Sequence, residues 1–343
     1  MVGGTLKNTC NINLVVMKKL ASRSCLLPDD VLMEILSYLP GKTFFKLLSV
    51  CKTFRQLSSN SHFLLSESYH SKAISGFFAQ RYSTFKSLIL IDPYAGLPRS
   101  SLDFLRKRNT RILGSAGGLI FISHRNEGSI NATTGSLFVY NPTRRTQGNY
   151  LRGGIAVRFM TDDNRLTKDY KLVNLSPTNK SSLHRCQLGT HMLIDPYVFA
   201  FNMRTEWTQI IALPDEATIR DFDIIGIAES KHNSVGFIHY RRLSQVFVLW
   251  LLRNGLPGWM KAHEISLGQM GIGKPCYVSS VVLSEVETSM LLVFVVHDEV
   301  YSYNIQDGDL RKLGSVGIYD PTLIPYVNSL RPCGEQEELL EAI

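Results

Sequence analysis

Between residues 26 and 73 the apolar side chains recur at spacings of three and four, and beyond about residue 80 they do not. A period near 3.6 belongs to an amphipathic helix; short Val-, Ile-, Phe- and Tyr-rich stretches broken by Gly, Pro, Asn and Asp belong to strands and turns. One chain carrying both patterns in succession folds as two units of different class. We expect a small all-α module over residues 26–72, followed by an all-β domain over residues 80–330. Residues 1–25 show no periodicity and are expected to be a disordered leader. Met17 offers an alternative start of translation. The acidic tail, residues 331–343, is expected to fray or to form a loose helical turn or two.

The helical module opens LLPDDVLMEILSYLP. Pro28 suits a first helical position, because its missing N–H is one that the helix would leave unpaired in any case. Asp29 and Asp30 sit at the positive end of the helix dipole. Val31, Leu32, Ile35, Leu36 and Leu39 make an apolar face, and Pro40 and Gly41 stop the helix. A second pattern runs from Thr43, a candidate N-cap, through Phe44, Leu47, Leu48, Cys51, Phe54 and Leu57, with a bend between Val50 and Phe54 left open. Phe45, Val50 and Leu32 exceed what one face needs. Helices this short bury little by themselves. The surplus therefore packs either on the β domain or on another protein, and periodicity does not choose between these.

Composition sets wide limits. With 44% hydrophobic and 19% charged residues in 343, global disorder is excluded. A net charge of +8 suits an acidic protein as well as nucleic acid. The six cysteines have no CxxC spacing and read as free thiols of a reducing compartment. The sequons at Asn131, Asn174 and Asn179 matter only in a secreted chain. Leu14–Met17 is too short an apolar stretch for a signal peptide, and no run approaches the roughly 20 residues of a membrane span. A cytoplasmic or nuclear location, or both, is the expectation.

The segment LLPDDVLMEILSYLPGKTFFKLLSVCKTFRQLSSNSHFL resembles the F-box of plant F-box proteins. The likeness rests on Leu27-Pro28, Glu34-Ile35-Leu36, Tyr38-Leu39-Pro40, and Val50-Cys51-Lys52 through Arg55, in unbroken spacing. The resemblance implies a non-catalytic, substrate-recognition subunit of an SCF-type (Skp–cullin–F-box) ubiquitin ligase. Its F-box would dock on a Skp-type adaptor, and through it a cullin. The implied adaptor contacts are Leu27, Pro28, Ile35, Leu36, Leu39, Pro40, Val50, Cys51 and Phe54; the alternative for each is the module's own core. The family usually has Val where this chain has Gly41, and Trp where it has Phe54. The first change loosens the helix junction, and the second reduces aromatic area.

Four stretches of the β region share a shape: LFVYNPTRRTQ from Leu137, VFAFNMRTEWTQI from Val198, VFVLWLLRNGLPGWMKAHEI from Val246 and EVYSYNIQDGDLRKL from Glu299. Each is a strand, a polar turn and a return strand, three of them containing Trp207, Trp259 or Leu313. The period, roughly 50 to 60 residues, is near that of kelch-type propeller blades; a β-sandwich of hairpins is the alternative. The region also resembles the F-box-associated domain of plant proteins, through GSAGGLIFI (Gly114–Ile122), YNPTRR (Tyr140–Arg145), DYKLV (Asp169–Val173), FNMRTEWTQI (Phe201–Ile210, with a tighter TEW spacing) and PYVNSL (Pro325–Leu330). That likeness implies a kelch-like β-propeller that holds the target protein. Gly114, Gly117 and Gly118 fit a tight backbone at a strand start, where a side chain would clash.

No GxSxG, HExxH, EF-hand or paired-CxxC pattern is present. Gly271–Lys274 lacks the Ser or Thr of a phosphate loop, and Asp162 with Asp163 reads as a solvated turn. His184, Cys186 and His191 lack the spacing of a four-ligand zinc site and read as a polar loop. No cofactor or metal is expected. Arg106, Lys107, Arg108 and Arg111 make a short basic cluster, either a solvated face, a nuclear import signal or an RNA contact. The rival reading is therefore a β-propeller ligand- or RNA-binding protein whose helical module is a structural cap.

Overall fold

A computed structural model of the chain describes residues 27–70, 74–81, 84–91, 97, 101–106, 110–125, 135–148, 156–161, 167–173, 187–188, 191–194, 197–202, 207–220, 222–230, 234–253, 258–273, 276–286, 289–331, 333 and 338–339. The expected leader lies outside these residues.

Four short helices come first: α1 (Asp29–Ser37), α2 (Gly41–Leu47), α3 (Lys52–Leu57) and α4 (Ser61–His70). Their starts differ slightly from the sequence expectation. Pro28 is the N-cap of α1 rather than its first residue, its carbonyl accepting from Leu32 N at 3.0 Å. Pro40 likewise caps α2, accepting from Thr43 and Phe44, so Thr43 lies inside the helix and Gly41 opens it rather than merely ending α1. The bend between Val50 and Phe54 is a true break: Cys51 is extended, and its Sγ caps α3 by accepting from Phe54 N. Asn60 does the same for α4, its Oδ1 accepting from Phe63 N at 3.0 Å.

The β region begins at Gly76, ahead of residue 80. Strands β1 (Gly76–Arg81) and β2 (Thr84–Leu90) form a hairpin, and β21 (Thr322–Tyr326) pairs antiparallel with the other edge of β1. The end of the β region is thus hydrogen-bonded to its beginning. A short 3-10 helix (Asp103–Arg106) precedes β3 (Thr110–Ala116), β4 (Leu119–Arg125), β5 (Gly135–Asn141) and β6 (Thr146–Gly148). The pair β7 (Ala156–Thr161) and β8 (Thr167–Val173) follows. Three further sheets come next: β9 (Gln187–Leu188) to β12 (Trp207–Ala212) through β10 (His191–Ile194) and β11 (Tyr197–Asn202); β13 (Ile224–Ser230) to β16 (Trp259–Ser266) through β14 (Ser234–Arg241) and β15 (Val246–Leu252); and β17 (Val278–Val286) to β20 (Leu310–Ser315) through β18 (Ser289–Val296) and β19 (Glu299–Asn304).

Four of the sheets are antiparallel meanders in which successive strands are neighbours. The four sequence repeats are the last hairpin of each: β5–β6, β11–β12, β15–β16 and β19–β20. Trp259 stands on such a return strand and ties two sheets together, its Nε1 donating to the Ala212 carbonyl at 2.7 Å. In the acidic tail, β22 (Glu338–Leu339) pairs with β6 and extends that sheet, where the sequence suggested fraying or a helical turn.

The strands read as continuous apolar runs because both faces of several sheets are covered, while successive side chains still alternate between faces. Phe77 and Ala79 of β1 pack on Val293, Val295 and Val300, whereas Phe78 packs on Ile112, Ile120 and Tyr140. In β18, Val293 and Val295 face the first sheet; Leu292 and Phe294 face Tyr240, Phe247 and Leu249. In turn Phe237, Val248 and Trp250 pack towards Val198 of β11. The sheets therefore follow one another face to face, from β3–β6 through β2–β1–β21, β17–β20 and β13–β16 to β9–β12. Closure of this row into a propeller ring is not shown among the described residues.

Candidate functional site

The α1 helix has two apolar faces. Leu32 and Leu36 are buried with Phe44, Leu57, Phe63 and Leu64 in the core of the helical module. On the other side Val31, Ile35 and Tyr38 lie exposed, spaced by four and three residues, with Leu27 and Pro28 at the entry to the helix. Ile35 is 51% exposed, and Val50, in the break before α3, is 65% exposed. Burying an Ile or Val side chain is favourable by roughly 1.5–3 kcal/mol, so an uncovered stripe of this kind forgoes that free energy until something covers it.

The nine sequence-predicted contacts divide. Leu27, Pro28, Ile35, Val50 and Cys51 are exposed. Leu39, Pro40 and Phe54 are half-buried, with Leu39 and Phe54 packed against the module core. Leu36 is inside that core. Phe54 thus fills space among helices, where a smaller ring than Trp still finds neighbours. Val31 and Tyr38 join the stripe although the motif did not single them out as contacts. Their spacing from Ile35, four before and three after, was the available signal. Tyr38 is 63% exposed yet held in place: its ring stacks on His70 and its hydroxyl donates to Glu34 Oε1 at 3.2 Å.

Behind the stripe, the module is fastened to the β region by two motifs far apart in sequence. In the YNPTRR turn, Asn141 Oδ1 accepts from the Thr143 and Arg144 amides, while its Nδ2 donates to the Ser329 and Arg331 carbonyls. Thr143 hydrogen-bonds the Tyr326 hydroxyl at 2.8 Å and donates to Asn328 Oδ1. Burial of Tyr326 pushes its hydroxyl pKa far above the ordinary phenol range. PYVNSL is therefore the partner of YNPTRR. The helical module grips the same segment: buried Glu67 of α4 accepts from Leu330 N at 2.7 Å, and Leu330 is part of the helical core. Burial pulls the Arg331 guanidinium down to a pKa of about 10, and the nearby Glu67 carboxylate opposes the shift.

Gly41 explains its own departure from the family pattern. A Cβ here would lie 2.8 Å from Thr143 Cγ2 and 3.3 Å from both Asn328 Oδ1 and Leu330 Cδ2, so a valine would have to push these side chains aside. Gly118 has φ +86°, and a Cβ on it would come within 2.4 Å of Ser329 Cβ. With Gly117 (φ 53°) it forms the turn between β3 and β4, not a strand start. Gly114, expected to avoid a clash, has open space around its Cβ position.

The other candidates contribute less. Arg106 pairs with Asp103 at 3.5 Å, and Lys107 and Arg108 lie outside the described residues. So do Asp162, Asp163, His184, Cys186, the sequon asparagines and the side chain of His191. Among the described residues no group of His, Cys, Asp and Glu is arranged to hold a metal ion, and no helix is long and apolar enough to cross a membrane.

The described residues thus form a four-helix module with an exposed apolar stripe, followed by a β region of meander sheets. Comparison with known proteins gives that module its class: residues 24–66 match the F-box domain family. The chain is similar to two Arabidopsis thaliana proteins. It is 33% identical over 124 residues to F-box protein At5g49610, covering 36% of this chain and 32% of that protein. It is 30% identical over 196 residues to F-box protein At5g07610, covering 54% and 46% respectively. The chain thus spans between about a third and about a half of the length of these relatives. F-box domains in general bind Skp-type adaptors that link to cullins, and F-box proteins in general are adaptor subunits rather than enzymes.

Proposed function

We propose that this chain is a non-catalytic substrate-recognition subunit of an SCF-type ubiquitin ligase. Its F-box docks on a Skp-type adaptor through the exposed stripe of Leu27, Pro28, Val31, Ile35 and Tyr38, extended by Val50 and Cys51. Leu36, Leu39 and Phe54 shape that surface from beneath. The β region is a kelch-like F-box-associated propeller that holds the target protein, with β7–β8 taking the place between the β3–β6 and β9–β12 sheets. Four meander sheets, the pairing of β21 with β1 and the face-to-face row of sheets support the propeller. A cytoplasmic or nuclear location suits this role.

One observation carries the adaptor reading: α1 turns Leu32 and Leu36 to its own core while leaving Val31 and Ile35 uncovered. A charge on the uncovered face removes docking without touching the core. The test is capture of a purified plant Skp-type adaptor by the full chain. Ile35→Asp should abolish capture with an unchanged melting curve. Equal capture by wild type and Ile35→Asp would sink the assignment of this face.

A further inference from the structure

An open cleft of about 740 Å³ lies where the segment before β13, the β14–β15 turn and the approach to β17 meet. Arg220, Phe222, Arg242, Leu243 and Tyr277 line it. Two large apolar side chains stand nearly free in water there, Phe222 at 71% and Leu243 at 80% exposure. The Arg242 guanidinium lies 4.4 Å from the centre of the Tyr277 ring and 5.7 Å from that of Phe222. Contact with an aromatic face fixes a guanidinium while leaving its N–H edge available to a second group. Among the described residues no carboxylate pairs with Arg220 or Arg242.

The cleft is also braced. Asp223 Oδ2 accepts from the Arg220 amide at 3.1 Å and from buried His239 Nε2 at 2.7 Å, and Oδ1 accepts from the Arg242 amide at 3.1 Å. One carboxylate, itself in the cleft wall, therefore holds both arginine-bearing turns against β14, its two oxygens occupied by these three hydrogen bonds. The Asp320 carboxylate beside Tyr277 raises its hydroxyl pKa above the ordinary phenol value. Pre-fixed turns lose little entropy on binding. Two arginines with no carboxylate partner among the described residues, beside exposed apolar groups, match a short peptide with a carboxylate next to an apolar side chain. A nucleic-acid strand instead needs a run of cations along its backbone, and among the described residues the cleft wall holds two, Arg220 and Arg242.

We propose that this cleft binds an acidic peptide segment of the recruited protein, its carboxylates on Arg242 and Arg220 and a neighbouring leucine or phenylalanine against Phe222 and Leu243. The inference rests on the substrate-recognition reading above and names the class of sequence recruited. The probe is a fluorescein-labelled dodecapeptide pool with a fixed central Leu or Phe flanked by Asp and Glu, titrated by anisotropy into the full chain. A matched pool carries Asn and Gln instead. The acidic pool should bind more tightly than the amide pool. Arg242→Gln should weaken it on the order of tenfold or more, the scale of a lost charge-assisted hydrogen bond, and Phe222→Ser should weaken it too. Phe222 is exposed and Arg242 half-buried at the cleft wall, and both variants should melt with wild type.

Ile35→Asp should leave peptide affinity unchanged while losing the adaptor, and Arg242→Gln should do the reverse, so the two readings fail separately. Equal binding of the acidic and amide pools, or undiminished affinity in Arg242→Gln, would overturn the proposal. So would tighter binding of a single-stranded 12-nucleotide RNA that displaces the acidic pool.

Discussion

His239 is fully buried on β14, its Nε2 2.7 Å from Asp223 Oδ2 and its Nδ1 without a partner among the described residues. Burial lowers the imidazole pKa, and the attraction of Asp223 only partly offsets this. The ring is therefore neutral, with its proton on Nε2 donating to the carboxylate. For Asp223 burial acts upwards, but the His239 hydrogen bond and the Arg242 and Arg220 amides outweigh it, and its pKa lies below the ordinary value. Both shifts act in the same direction. The unfolded histidine takes up a proton below about pH 6.5 while the folded one resists, so the stability this pair contributes is present above that pH and is lost as pH falls. Asp223 adds a second loss at lower pH, below the ordinary carboxylate range. The urea midpoint should therefore drop between pH 7.5 and 5.0. His239→Gln retains a donor for Asp223 but has no titrating ring; it should be less stable at pH 7.5 and show a flatter profile. An equally steep profile in the variant would assign the pH dependence elsewhere.

On α1, adjacent residues have opposite duties. Ile35 is half exposed and Leu36 is sealed in the core, although both belong to the same motif triplet. Leu36→Asp would bury a charge among Leu32, Phe44 and Phe63, at a cost of several kcal/mol, and should unfold the module, which a loss of helical circular dichroism would show. A loss of adaptor capture in that variant reports a broken element; in Ile35→Asp it reports a broken surface. A melting curve for Leu36→Asp that overlays wild type would contradict this placement. The helical period made α1 legible, because alternation every three or four residues is local. It did not say which of two apolar faces stayed in water, because that depends on where α2, α4 and Leu330 pack. The same limit applied to the strands: their runs were visible, yet a run buried on both faces carries no alternation to show which sheet lies on either side.

The helical module and the β region meet at a seam of hydrogen bonds and close packing. Glu67, Thr143 and residues 326–331 are joined by hydrogen bonds, and Gly41 packs against Thr143, Asn328 and Leu330, so the helical module and its exposed stripe are tied to the β region. A single cooperative unfolding transition should result. Gly41→Val, the residue usual in the family, overpacks the junction and should cost roughly 1–3 kcal/mol. Glu67→Ala leaves the buried Leu330 amide unpaired, at about 1–3 kcal/mol. In either variant the helical module should melt ahead of the β region, splitting the calorimetric endotherm; one unshifted endotherm in both would mean that the seam does not couple them.

From the residues alone one could read the order of the two units, the F-box pattern, the four repeated hairpins and the absence of familiar catalytic motifs. Each of these is written in short-range spacing, which the backbone geometry of helices and strands imposes directly. Only the tertiary structure decided that YNPTRR and PYVNSL are each other's partners, that Gly41 is small because Thr143 and Leu330 press on it, and that Phe222, Arg242 and Tyr277 share one cleft. Those relations join residues tens to hundreds of positions apart. They exist only once packing has brought the sheets and the helical module together, and no local period records them.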